Sequence, residues 1–194
     1  MARTREFDEE KVLDAAMQLF WEKGYEATSL SDLTSRMGIQ RPSIYSTFGD
    51  KRELFETSLR KYTMARAAEM RTRLAGIASV KEAFRTFFAE IVDEEYNAER
   101  LSRGCFCINT MVELAPHDEK FEILTREHQM YLSVIFQENI ERGMRSGELN
   151  PSMDAKAVAQ ALIVSLIGLT VFMKSRPNRS FVDNSIRVTL SLLD

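Results

Sequence analysis

The chain has 194 residues, 44% of them apolar and 28% charged, a length that suits one domain or a small domain joined to a medium one. About 70% of the unfolded surface can be buried at this size, so a true core is expected. Eight Gly and four Pro exclude collagen-like and low-complexity chains, two cysteines exclude a disulfide scaffold or a four-cysteine zinc site, and a net charge of −3 excludes a uniformly basic nucleic-acid coat.

The start turns acidic by Glu6 and has no apolar stretch, so no signal peptide is expected. The longest uncharged run, Ala157 to Met173, is short for a bilayer span and carries Gln160, Ser165, Gly168 and Thr170. It reads as a helix buried in a core or a subunit interface. No membrane association is expected, and a cytoplasmic chain with reduced thiols is.

Apolar residues recur at helical spacing and strand-like alternation is absent, so an all-α fold is predicted. Helix 1 is expected over about Glu9 to Lys23. Asp8 is its N-cap, Phe7 and Val12 make a hydrophobic staple, and Gly24 is its stop. Helix 2 follows a capping box of Ser29 and Asp32, with Leu30, Leu33 and Met37 on its apolar face, and Gly38 allows a left-handed turn. Arg41 precedes a proline and is biased away from helix, so Pro42 is expected as the first residue of helix 3. Helix 3 turns Ile44 and Phe48 inward and ends at Gly49. Asp50 and Glu53 cap a long helix 4 that reaches about residue 74. Two short helices joined by a Gly-containing turn are a helix-turn-helix.

Five more helices are expected: Ser79 to about Ala98, about Arg103 to Leu114, Asp118 to Ser146, Asp154 to about Ser175, and from about Ser180 to the end. The fourth of these is apolar almost all round and needs cover on every side, which a second copy of the chain most easily supplies. Leu166 and Leu190 are candidate residues of that contact.

Between residues 34 and 52, Arg36, Arg41, Lys51 and Arg52 stand against Asp50 alone, and Arg3 and Arg5 form a basic N-terminal arm. The acidic residues of helix 1 read as a solvated face. Gln40, Arg41 and Pro42 sit at the N-terminus of helix 3, the end that enters the major groove in this motif. Arg41 suits a guanine edge, Gln40 an adenine and Pro42 a thymine methyl. Ser43, Tyr45 and Thr47 carry hydroxyls suited to phosphates, and Lys51 sits at a helix N-terminus that favours them too. A packing role for Tyr45 competes with contact.

The segments Gly24-Tyr25, Thr28-Ser29, Met37-Gly38-Ile39, Ser43-Ile44-Tyr45, Thr47-Phe48 and Lys51-Arg52-Glu53-Leu54-Phe55 closely resemble the TetR/AcrR family of bacterial one-component repressors. Past about residue 60 only the helix pattern, Gly104-Cys105 and the run from Gly143 to Leu149 remain familiar. The resemblance implies a helix-turn-helix DNA-binding domain over 1–55 and an effector-binding and dimerisation domain over 56–194. It also implies a homodimer, through about 154–193, on an inverted-repeat double-stranded DNA operator. Thr28 matches a further phosphate contact of the family. It further implies a small-molecule effector, apolar or electrophilic, that releases the DNA. The expected pocket residues are Phe84, Phe87, Phe88, Cys105, Phe106, Ile108, Met111, Leu124, His128 and Tyr131, each of which could equally be plain core. Constitutive DNA binding with a C-terminal protein-interaction module is the alternative.

No catalytic constellation, Gly-rich phosphate loop or metal-ligand cluster is present, so no enzyme, metal or cofactor is expected. Cys105 and Cys107 would point about 200° apart on a helix, against a bond between them. Cys105, beside Arg103 and near a helix start, could be a reactive thiol, though a small buried hydrophobe is what a cysteine most often is.

Overall fold

The computed structural model describes residues 7–97 and 103–194. Among the described residues there are nine α-helices, a terminal 3-10 turn and no strand, which is the predicted fold class. The expected arm of Arg3 and Arg5 and the expected end of the fifth helix at Ala98 lie outside them.

Local chemistry sets the N-terminal elements. In α1, Glu9–Lys23, the Asp8 carboxylate accepts from the N–H groups of Glu10 and Lys11. In α2, Leu30–Met37, Ser29 and Asp32 form the reciprocal capping box, and Gly38 takes the left-handed conformation that ends the helix. Helix α3, Arg41–Phe48, starts one residue earlier than expected: Arg41 is its first residue, Pro42 its second, and Gln40 precedes them in extended backbone. Arg41, the residue before Pro42, is thus helical, so the pre-proline bias is overridden there and the extended backbone falls on Gln40 instead. Asp50 and Glu53 cap α4, Lys51–Ala75.

The helices α5, Val80–Asn97, α6, Phe106–Glu113, α7, Glu119–Ser146, α8, Ala155–Met173, and α9, Arg179–Leu190, complete the chain. Helix α6 starts three residues later than expected, because Gly104 has φ +63° and Cys105 is extended, so 103–105 is a strap and not a helical turn. Glu148, after α7, accepts from Ser79 Oγ and from the N–H groups of Val80 and Lys81, and so caps α5 from outside. Gly143 lets that connector close: a Cβ there would stand 2.8 Å from Leu149 and 3.2 Å from Val80.

Two main cores result. One holds α1, α2, α3 and the first half of α4, and it draws in Phe106, Cys107, Leu114 and Phe121 from α6 and α7. The other joins the second half of α4 to α5, α7 and α8. The division drawn at residue 55 thus falls inside one continuous helix, and the first core extends through Leu59 and Tyr62. Each fully buried large apolar side chain contributes about 1.5–3 kcal/mol.

Helix α8 is long and apolar enough to cross a membrane by length and composition. Its face of Ala159, Leu162, Ile163 and Leu166 is buried, and its principal packing partner is α7. Val164, Val171 and Phe172 on its other side, with Phe181 and Val188 of α9, remain exposed.

Candidate nucleic-acid interface and cavity

Ile44 is fully buried and orients α3. The opposite face presents Gln40, Arg41, Pro42, Tyr45 and Ser46 to solvent, Tyr45 with half its surface exposed. Arg41 donates to Ser31 Oγ at 2.9 Å, which ties the side chain to the first turn of α2. The Lys51 ammonium stands 4.2 Å from the centre of the Tyr25 ring. This face can offer one guanidinium, one amide and several hydroxyls to a duplex groove, with an ammonium at its flank.

The helix-turn-helix is joined to the rest of the chain at both ends of α6. At the C-terminal end, the Glu113 carboxylate accepts from the N–H groups of Tyr25 and Glu26, at 3.1 and 2.9 Å. At the N-terminal end, Trp21 Nε1 donates to the Gly104 carbonyl at 2.9 Å, and the Arg103 guanidinium lies 4.2 Å from the Trp21 ring centre. Arg52 forms a two-pronged pair with Asp118, the N-cap of α7, both bonds at 3.0 Å. Burial raises the Asp118 carboxyl, but the hydrogen bonds from Arg52 and from Lys120 N–H outweigh that and hold it below the usual range. Edge-to-face rings carry the connection inward, from Phe20 and Tyr25 through Phe55 to Phe106 and Phe121.

Directly behind this junction is a cavity of about 140 Å³. Trp21, Tyr62, Gly104 and Cys105 form the wall nearest the helix-turn-helix, and Met70, Phe87, Ile91, Leu132 and Leu166 form the apolar wall. Arg66, Glu94, His128 and Gln129 bring polar groups to it. Burial first, and then the charge of Arg66, push the His128 pKa down to about 4, so the imidazole is neutral at physiological pH. Burial pushes the Tyr62 phenol and the Cys107 thiol up.

Residues 12–57 match the family model of bacterial regulatory proteins of the tetR family, and residues 82–187 match the tetracyclin repressor-like C-terminal domain. The chain belongs to the TetR family. It is 37% identical over the full length of both chains to an uncharacterised HTH-type transcriptional regulator, YezE, of Bacillus subtilis. It is 33% identical to the HTH-type transcriptional repressor ComR of Escherichia coli, over 87% of this chain and 80% of that one. Among solved structures, a cysteine mutant of the TetR family regulator CifR, complexed with 26-base-pair double-strand operator DNA, superposes over the whole of both chains with a TM-score of 0.86 at 28% identity.

In this TetR-family chain the expected interface residues do not all face outward. Ser43 and Thr47 are half-buried. Thr28 is fully buried and its hydroxyl donates to the Gly24 carbonyl at 2.6 Å, so here it closes the α1–α2 turn instead of presenting to a phosphate. Arg36 and Arg52 are engaged by Glu22 and Asp118 rather than left open. Ser46 is exposed beside Pro42, four residues on, and was not singled out from the sequence. The acidic residues of α1 are not all simply solvated, since Glu10 and Asp14 pair with Lys61 of α4.

Of the expected pocket residues, Phe87, Cys105, Ile108 and His128 line the cavity. Phe84, Phe88 and Phe106 are packed in the cores, and Met111 is half-buried on α6 away from the cavity. Leu124 and Tyr131 face an open groove between α4 and α7 whose floor is the other side of His128. Trp21, Tyr62 and Arg66 were missed, because they come from helices whose pattern announces a different task. Of the two candidates for the contact between copies, Leu166 lies in the core and on the cavity wall, whereas Leu190 is half-buried and packs partly against the same core.

Proposed function

We propose that this chain is a transcriptional repressor that binds an inverted-repeat DNA operator as a homodimer and is released by a small molecule in the cavity. The α3 face reads base edges through Gln40, Arg41 and Pro42, while Tyr45, Ser43, Thr47 and Lys51 hold phosphates. The exposed apolar surface of α8 and α9 pairs two copies, which sets the two recognition helices about 34–36 Å apart, one turn of the duplex. The protein acts in the cytoplasm, where its operator is.

The observation that carries this reading is the double role of Trp21. It lines the cavity and also bonds Gly104 at the start of α6, whose far end holds the α1–α2 connector through Glu113. A ligand that prefers a different wall position stabilises a dimer whose helices no longer match successive grooves. The experiment is operator binding by fluorescence anisotropy with and without saturating candidate effectors. Release by a molecule that binds the cavity supports the reading. DNA binding that persists with the cavity filled means constitutive binding and a C-terminal interaction module.

A further inference from the structure

Arg66, His128 and Gln129 are the polar groups of the cavity with unmet capacity, the Gln129 amide having, among the described residues, a 3.9 Å contact from Nε2 to the Cys107 sulfur. Among the described residues, the hydrogen bond found for Arg66 is Nη1 to Glu69 at 2.7 Å, which leaves most of its five donors open. His128 is 7% exposed, lines the cavity, and has no hydrogen-bond partner among the described residues. A carboxylate placed in the cavity gives these donors a fixed, charge-assisted acceptor. The other charges at the wall are already matched: Glu94 is held by Arg73 at 2.9 Å, and Glu69 is shared between Arg66 and Arg73. Most of the remaining wall is apolar, with Met70, Phe87, Leu132 and Leu166, beside the hydroxyls of Tyr62 and Thr170 and the Cys105 thiol.

We propose that this cavity takes a small apolar acid, with its carboxylate on Arg66 and His128 and a body about the size of one benzene ring against the apolar wall. This assignment of ligand class rests on the cavity being the effector site. Size and chemistry each limit the choice. A dry cavity of about 150 Å³ is known to hold benzene, and this one has about 140 Å³. A carboxylate meets a guanidinium with two parallel charge-assisted bonds, the geometry for which Arg is best suited. It also accepts the N–H of the neutral imidazole. A cation of the same size is repelled by Arg66, and a polyhydroxylated ligand leaves its hydroxyls against Phe87 and Leu132.

The full-length protein provides its own reporter, because Trp21 is the single tryptophan and lines the cavity. Benzoate and 3-methylbutanoate, each beside its own amide, are titrated against Trp21 fluorescence and by calorimetry. The expected result is saturable binding of at least one acid, about tenfold to a hundredfold tighter than its amide. Arg66→Gln is expected to erase that preference and Arg66→Lys to keep most of it, with helicity and thermal midpoint checked for both. Equal binding of acid and amide overturns the assignment, as does acid binding unchanged in Arg66→Gln, or no saturable binding of either acid at millimolar concentration. If Arg66→Gln does not fold, the comparison of acid and amide on the wild type decides. Operator release is read in parallel. Acid binding without release supports the acid site and removes the effector reading. Release by a neutral molecule that binds the cavity better than either acid overturns the acid assignment and leaves the effector reading standing.

Discussion

His128 ties stability to pH in a way that can be measured apart from DNA or effector. Its pKa is held at about 4 in the folded chain, against 6.5 for an ordinary histidine, first by burial and second by Arg66. Between those two values the unfolded chain binds the proton and the folded chain resists it. Stability is therefore full above about pH 6.5, falls as the pH drops, and the loss is complete below about pH 4. One pKa unit is worth about 1.4 kcal/mol, so the whole effect is roughly 3 kcal/mol, of which about 2 kcal/mol appears between pH 7 and pH 5. His128→Gln removes the titrating group and keeps an amide of similar reach. Urea unfolding followed by far-UV circular dichroism, at one protein concentration and at pH 7 and 5, gives the four stabilities required. The wild type is expected to lose about 2 kcal/mol more than the variant between the two values. His117 and the carboxylates are common to both proteins and cancel in the difference. An equal loss in both refutes the assignment of a buried, neutral His128.

Four further outcomes are expected. Lys51→Ala weakens binding to every duplex and lowers the salt slope by about one charge, whereas Arg41→Ala costs about 1–3 kcal/mol at the operator and relaxes one position, both read by anisotropy across a salt series. Glu113→Ala leaves the N–H groups of Tyr25 and Glu26 without their acceptor and lowers stability by about 1–3 kcal/mol, measured by thermal unfolding; no change would mean that water replaces the carboxylate fully. Val188→Glu, at an exposed apolar position of α9, dissociates the dimer in sedimentation at micromolar concentration with helicity intact, while Leu166→Glu unfolds the chain. Cys105, half-exposed on the cavity wall, is labelled by N-ethylmaleimide well before the fully buried Cys107, so Cys105→Ser removes the fast phase and Cys107→Ser retains it; one shared rate contradicts this.

The parts of the fold legible in the sequence are those governed by neighbouring residues. Asp8, Ser29 and Asp50 cap where expected because a cap needs only its own first turn. The exposed face of α3 is readable for the same reason, since Pro42 and Ile44 alone orient eight residues. What was not legible depends on partners far along the chain. Arg52 reads as a cation for DNA, and Asp118, 66 residues on, claims it. Thr28 reads as a surface hydroxyl, and the closing of its own turn hides it. The stripe of Leu124, His128 and Tyr131 identifies an apolar side of α7 but not what that side meets. Only His128 lines the cavity, because α4 covers that position and leaves Tyr131 at an open groove. Arg66 escaped notice because one arginine among the several of α4 has the pattern of a solvated face.

Selection of bound duplexes from a random library, followed by footprinting on the enriched sequence, tests the central claim most directly. The account predicts an inverted repeat with half-sites one helical turn or a multiple apart, two chains per duplex, and protection centred on the bases that Gln40, Arg41 and Pro42 reach. Recovery of no common sequence, or of a single asymmetric site bound by one chain, would contradict it.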